Sequence, residues 1–523
     1  MNTFTSNLTL EQKVGQLFMV GFPETKVTPE VRHLFRDLCF GGVILFKRNL
    51  KNVEQTRALI SKLQEIALEA TGLPLFVAVD EEGGPIVRLP KGSTIFPGPM
   101  ALAATRSIAN VRAVAKATAQ ELKSLGFNLN FAPVMDVASD PRNPTIGVRS
   151  FSEDPELVSR YGTAYIKAFQ SQGVMATAKH FPGIGACTKD PHLTLPVVYQ
   201  DRDHLEKTDL PPFRAAVESG VSWLMVSNAC YPALERQPGL PACFSKGIVS
   251  GLLREKLSFG GLIVTDDLTM GAVSKRFPLA EAALLSLRAG CDQLLICHHP
   301  KVQVRAYRSV LRAFRDRDIP SLLLERSLVR ISRAKSRIIS AVAVPAPNTS
   351  RLAQQVTERS ITWVKSALPL VPLPPKMDGP LGLILPEVSR VVPMDADEEP
   401  LRILVQLLSA QFKVVPIRIG IDPSREDCRR AKALVQNSSV VIFGSYNAHQ
   451  ARFQARLVRQ LLRLNRNFII VSLRNPYDLA MFPDVPCFIT AYSFRPPAME
   501  ALAKALLGEL KPKGVLPVTI PGI

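Results

Sequence analysis

The sequence predicts an α/β protein, a (β/α)8 barrel followed by a smaller α/β domain, and three observations carry that expectation. Over the first 300 residues, short β-rich runs alternate with amphipathic helical patterns, the mark of repeated βα units. Several of those runs end in polar or charged residues, where a barrel would place its active site. After a proline-rich stretch the alternation resumes from Leu381, which marks a second, smaller α/β domain with a layered sheet.

The expected barrel strands are Gly15–Gly21, Gly41–Phe46, Leu75–Asp80, Leu129–Met135, Val174–Lys179, Trp223–Ser227, Leu262–Thr265 and Asp292–Cys297. Between them the 3.6-residue period predicts helices such as Val53–Ala70, Ile108–Leu125, Pro155–Gln172 and Leu279–Ala289. The charged or polar strand ends are Asp80, Asp136, Lys179-His180, Asn228 and Asp266-Asp267. A helix over Ser321–Ala341 closes the first unit, taken as residues 1–343. Residues 344–380, with a helix over Leu352–Val364 and the proline-rich Leu368–Pro380, read as a linker. Residues 381–523 then carry strands at Leu381–Leu385, Lys413–Ile417, Val440–Gly444, Phe468–Ser472 and Cys487–Ala491, with helices such as Arg425–Gln436 and Arg452–Leu464.

The 523 residues exceed one ordinary core, and a hydrophobic fraction of 46% describes a globular chain. No apolar run approaches the roughly 20 residues a membrane span requires. The start, MNTFTSNLTLEQKVGQ, lacks a basic segment leading into an apolar one, and the first cysteine is Cys39, so a cytoplasmic protein is expected. Eight scattered cysteines without CxxC pairs read as reduced, buried thiols, and no metal-ligand spacing appears around His298-His299. The net charge of +19 is spread over helices and loops without interleaved aromatics. Its densest group, Arg425, Arg429, Arg430 and Lys432, reads as a solvated helix face, and nucleic acid is not the expected partner.

Chemistry concentrates in a few stretches. Lys179–His192, KHFPGIGACTKDPH, holds two of the seven histidines, and Asp190 stands two residues before His192. A carboxylate beside a histidine fixes its tautomer and stabilises its cation, as a general acid/base near neutral pH requires; a surface loop with an incidental Asp-Pro-His has the same spacing. Gly261–Ala272, GLIVTDDLTMGA, is a strand ending in two carboxylates. One of Asp266 and Asp267 can face the barrel mouth as a nucleophile, or both can cap the following helix. Asp80–Arg88, DEEGGPIVR, offers a tight glycine turn between hydrogen-bonding groups, as solvated turns also do. Asn130–Phe151 brings Asp136, Asn143, Arg149 and Ser150 into a long loop, where Arg149 can clamp a ligand or pin the loop to an acid.

Taken in order, LEQKVGQLFMVG, GGVILFKRN, DEEGG, NFAPVMDV, IGVRSF, KHFPG, TDDLTMGA, NPYDLA (Asn475–Ala480) and GVLPVTIP (Gly514–Pro521) resemble the family 3 glycoside hydrolases. The nearest branch is the bacterial β-N-acetylglucosaminidases that trim peptidoglycan fragments. The resemblance spans nearly the whole chain and implies a TIM-type (β/α)8 barrel followed by an α/β sandwich domain. It places Asp266 at the catalytic nucleophile, with Asp267 as its structural neighbour, and Asp190 with His192 at the dyad serving as general acid/base. It puts Asp80, Arg88, Arg149, Lys179 and His180 among the groups holding N-acetylglucosamine. Four positions depart from the family pattern: Pro191 within the dyad, Ile184 in the glycine-rich loop, Pro85 after Gly-Gly, and Asn228 after the sixth strand.

The resemblance thus implies a retaining hydrolase that removes terminal β-linked N-acetylglucosamine from cell-wall saccharides by double displacement, without metal or organic cofactor. Phosphate in place of water at the same site, or a degenerate sugar-binding protein, are the alternative expectations.

Overall fold

The computed structural model describes residues 7–190, 194–339, 348–366, 370–388 and 399–523. Among them the first sheet has eight parallel strands: β1 (Phe18–Val20), β2 (Gly42–Ile44), β3 (Phe76–Val79), β4 (Leu129–Asn130), β5 (Met175–Phe181), β6 (Trp223–Val226), β7 (Leu262–Thr265) and β8 (Leu294–Ile296). They run in sequential order from β1 to β7, and β8 returns to pair with β1. A parallel bridge between Val264 and Gln293 joins β7 to the run into β8, so the sheet is a near-closed barrel. All eight strands are buried along their whole length, as expected when side chains fill the inside and helices cover the outside.

The covering helices begin and end where local chemistry dictates. Ile108–Leu125 starts at Ser107, whose hydroxyl accepts from Asn110 N, and stops at Gly126, whose φ of +98° lets the chain turn away. Asp154 caps Pro155–Gln170 in the same way, with proline in the first turn. These caps bracket the helices that the period predicts within two residues. Inside the barrel the fully buried Trp223 meets Phe76 edge-on, with ring centroids 4.9 Å apart.

The second sheet has six strands: β9 (Thr362–Ser366), β10 (Leu381–Pro386), β11 (Val414–Ile419), β12 (Val440–Ser445), β13 (Phe468–Ser472) and β14 (Cys487–Thr490). Its order is β11-β10-β12-β13-β14-β9, parallel throughout but for β9, which runs antiparallel to β14. Alternation along the strands feeds two cores. Leu381, Leu383 and Leu385 pack with Pro496–Leu507, while Ile384, Val441 and Phe443 pack with Arg425–Gln436 and Arg452–Leu461. The domain is thus a helix–sheet–helix sandwich.

One element differs from expectation. The helix expected over Leu352–Val364 is Ser350–Ser360, and Thr362 onward is β9. Ile361-Thr362-Trp363-Val364 continues the apolar pattern, yet its β-branched residues suit a strand, and β14 supplies an edge to pair with. Residues 344–380, read as linker, therefore contribute a strand to the second sheet.

The two units meet through a separate apolar cluster. Met100, Ala101, Ala104, Ala138 and Val148 of the first pack against Tyr477, Tyr492 and Val518 of the second. Ser152 Oγ donates to Pro517 O at 2.5 Å, and Glu153 Oε1 accepts from Thr519 N at 2.9 Å. All eight cysteines are free thiols, seven buried and Cys428 half-buried. Among the described residues no helix is long and apolar enough to cross a membrane.

Candidate active site

A cavity of about 240 Å³ opens at the C-terminal ends of the barrel strands, and Asp80, Arg88, Arg149, Lys179, His180 and Asp266 all line it. They reach it from several parts of the fold. Asp80 follows β3, Lys179 and His180 belong to β5, Asp266 follows β7, and Arg149 ends a short 3₁₀ turn, Gly147–Arg149.

The floor is a charge network. The Glu82 side chain is 1% exposed and takes Arg149 on both oxygens, Nε at 2.8 Å and Nη2 at 2.8 Å. Lys179 Nζ, also buried, sits 2.6 Å from Glu82 Oε1 and 2.8 Å from Asp80 Oδ1. Two cations and two carboxylates thus alternate, so each charge has an opposite one beside it. Burial pushes the Glu82 carboxyl up, but Arg149 and then Lys179 outweigh it and hold the acid well below the usual range. Burial pulls Lys179 down, and Asp80 and Glu82 more than reverse that. Glu82 was not among the residues singled out from sequence. Its neighbour Glu81 turns the other way, accepts from Arg88 N at 2.7 Å, and is pushed up to about 8 by burial.

His180 is held by Asp136, which is fully buried and accepts from His180 Nδ1 at 2.7 Å, His180 N at 3.1 Å and Ile184 N at 2.8 Å. A carboxylate only accepts, so Nδ1 carries the proton and Nε2 is left as the ring's other polar atom. Asn143 ties the two loops of the cavity together. Its Oδ1 accepts from Thr145 N and Ile146 N, while its Nδ2 donates to Ile184 O at 2.7 Å and Gly185 O at 2.9 Å.

The two carboxylates after β7 divide their work. Asp267 accepts from Thr269 N, Thr269 Oγ1 and Cys297 N, so it caps the turn and ties it to the end of β8. Asp266 is half-buried, accepts from Asp267 N at 2.8 Å, and faces the cavity. His298 also lines the wall, its ring stacked on Phe46 at 5.7 Å, although the sequence offered only an adjacent histidine pair without a metal pattern. Asp190 is half-buried and is not among the residues that line the cavity; His192 lies outside the described residues. Beneath the loop leading to Asp190, Asp209 is fully buried against Gly183. Neither of its carboxylate oxygens takes a hydrogen bond among the described residues.

A polar, carboxylate-bearing cavity at the C-terminal strand ends is where a barrel enzyme places its active site. Comparison with known proteins narrows the class. Residues 9–334 match the model of the glycosyl hydrolase family 3 N-terminal domain. Beta-hexosaminidase A of Pseudoalteromonas piscicida is 30% identical over 98% of this chain and 97% of its own length. The structure of a glycoside hydrolase family 3 β-N-acetylglucosaminidase from Paenibacillus sp. str. FPU-7 superposes with a TM-score of 0.92 at 36% identity, covering 98% of this chain and 99% of that one. The β-N-acetylhexosaminidase of Beutenbergia cavernae is 33% identical, with a TM-score of 0.59; the match covers 64% of this chain and all of that one. The chain belongs to glycosyl hydrolase family 3.

Proposed function

We propose that this family 3 β-hexosaminidase removes terminal β-linked N-acetylglucosamine from peptidoglycan fragments by retaining double displacement. The observation that carries the reading is Asp266, lining the cavity together with the Asp80–Lys179–Glu82–Arg149 network, while its neighbour Asp267, which also lines it, is engaged by Thr269 and Cys297. Asp266 attacks the anomeric carbon and forms a glycosyl-enzyme, while protonated His192, poised by Asp190, hands its proton to the leaving oxygen. The same histidine then deprotonates the water that releases the sugar. Asp80 and Lys179 bind ring hydroxyls, and Arg149, Arg88 and His180 hold the remaining polar groups of the sugar. Fragments of this class carry carboxylates, which suits a chain with a net charge of +19.

The test is release of p-nitrophenol from its β-N-acetylglucosaminide, with and without phosphate. Asp266→Asn abolishes turnover while N-acetylglucosamine still binds; a fully active variant would overturn the assignment. His192→Ala lowers the rate about 10²–10⁴-fold on a natural disaccharide and far less on the nitrophenyl substrate, whose leaving group needs little protonation. Phosphate-dependent release of sugar 1-phosphate would replace water as the acceptor in this scheme.

A further inference from the structure

We propose that Asn475, in the second domain, is a positioning residue for Arg149. The residue is 2% exposed, and its side-chain Oδ1 accepts from Val148 N at 2.9 Å, one residue before Arg149. Its Nδ2 donates to Asn447 Oδ1 at 2.9 Å, and its carbonyl accepts from Ser472 Oγ at 2.7 Å, so the carboxamide is fixed from its own domain. The fit leaves no slack. Gly147 has a φ of +44°, and a Cβ there would lie 2.1 Å from Asn475 Oδ1.

A second anchor supports the same loop. Asp478, fully buried, accepts from Ser445 Oγ at 2.7 Å and from His449 Nδ1 at 2.7 Å, which fixes the turn after β12. From that turn Gln450 Nε2 donates to Asn143 O at 3.1 Å. Both barrel positions lie on the segment that delivers Arg149 to Glu82. The NPYDLA motif thus reaches the cavity through backbone, with Asn475 holding one end of the Asn143–Arg149 loop and Asp478, through Gln450, the other. The guanidinium fork needs correct placement to meet two oxygens at once, so a shift in the turn is felt directly in sugar binding.

The proposal rests on Arg149 binding the sugar, as set out above. Asn475→Ala is expected to raise KM for the chromogenic substrate about tenfold and to change kcat less than about threefold. Asn475→Asp keeps an acceptor for Val148 N, while Asn447 can turn its amide to donate; it is expected to restore KM to within about twofold. In an Arg149→Ala background, adding Asn475→Ala should cost nothing more. An unchanged KM in Asn475→Ala, an Asp variant as impaired as the Ala variant, or fully additive losses would each overturn the proposal. Hydrogen exchange across residues 143–152 reads the anchor without substrate, with faster exchange expected in Asn475→Ala but not in Asn475→Asp. A wild-type protein with no glycosidase turnover would therefore sink the catalytic reading while this one is decided by exchange.

Discussion

Glu82 accepts from Arg149 on both oxygens and from Lys179, so neutralising it leaves two buried cations facing Asp80 and the Asp136 charge without their paired carboxylate. Glu82→Gln should cost about 3–5 kcal/mol of stability, seen as a lower urea midpoint, and should raise KM as Arg149 loses its seat. Asp209 gives a prediction of opposite character. Burial, with the nearby Asp136 charge adding to it, pushes this carboxyl up to about 8. An unfolded aspartate titrates near about 3.9, so over the interval from about pH 4 to 8 the folded chain keeps a proton the unfolded one has lost. Stability therefore falls as pH rises through that window, by at most about 1.4 kcal/mol per pH unit from this group. Asp209→Asn removes that slope, so urea midpoints at pH 5 and 8 should lie closer together in the variant than in the wild type. Neither residue was legible as special in the sequence. Glu81 and Glu82 stand side by side in a turn where strand alternation no longer decides direction, and Asp209 differs from a surface acid only through what folds over it. Asp266 and Asp267, by contrast, stood out together because a buried strand ends on them, and the family resemblance chose Asp266.

At the scale of elements, helices were read well where side chains cap them, as Ser107 and Gly126 do for Ile108–Leu125. Barrel strands were read well because each is a short apolar run between turns. What escaped was β9, whose identity depends on β14, more than 100 residues further along the chain. The turn Gly147–Arg149 was read only as part of a long loop, since its shape comes from Asn475 and Asn143. Gly147→Ala tests that turn. The methyl would collide with Asn475 Oδ1, and the left-handed backbone disfavours any side chain by about 1–2 kcal/mol. The expected result is a KM at least as high as in Asn475→Ala, with a melting temperature several degrees lower, since about 1 kcal/mol moves the midpoint by about 2–4 °C in a large domain.

For the molecule as a whole, the apolar cluster of Met100, Ala104, Val148, Tyr477, Tyr492 and Val518 makes barrel and sandwich parts of one packed body. The charge is also a property of the whole, since the cations are spread over both units. If it helps to capture carboxylate-bearing fragments, kcat/KM for such a fragment should fall severalfold between about 0.05 and 0.5 M salt, because screening shortens the reach of the field to a few ångströms. The neutral nitrophenyl glycoside should show no such dependence. Equal salt responses for the two substrates would remove charge from the account of substrate choice.

The anchor on Val148 also imposes an order in time during synthesis. Arg149 leaves the ribosome more than 300 residues before Asn475 does. At about 5–20 residues per second, the nascent barrel waits roughly 15–65 s for the side chain that anchors the residue before Arg149. The contacts of Pro517 and Thr519 with Ser152 and Glu153 form later still. If Arg149 binds sugar as proposed, a growing chain can therefore close its barrel long before the second domain completes the sugar site.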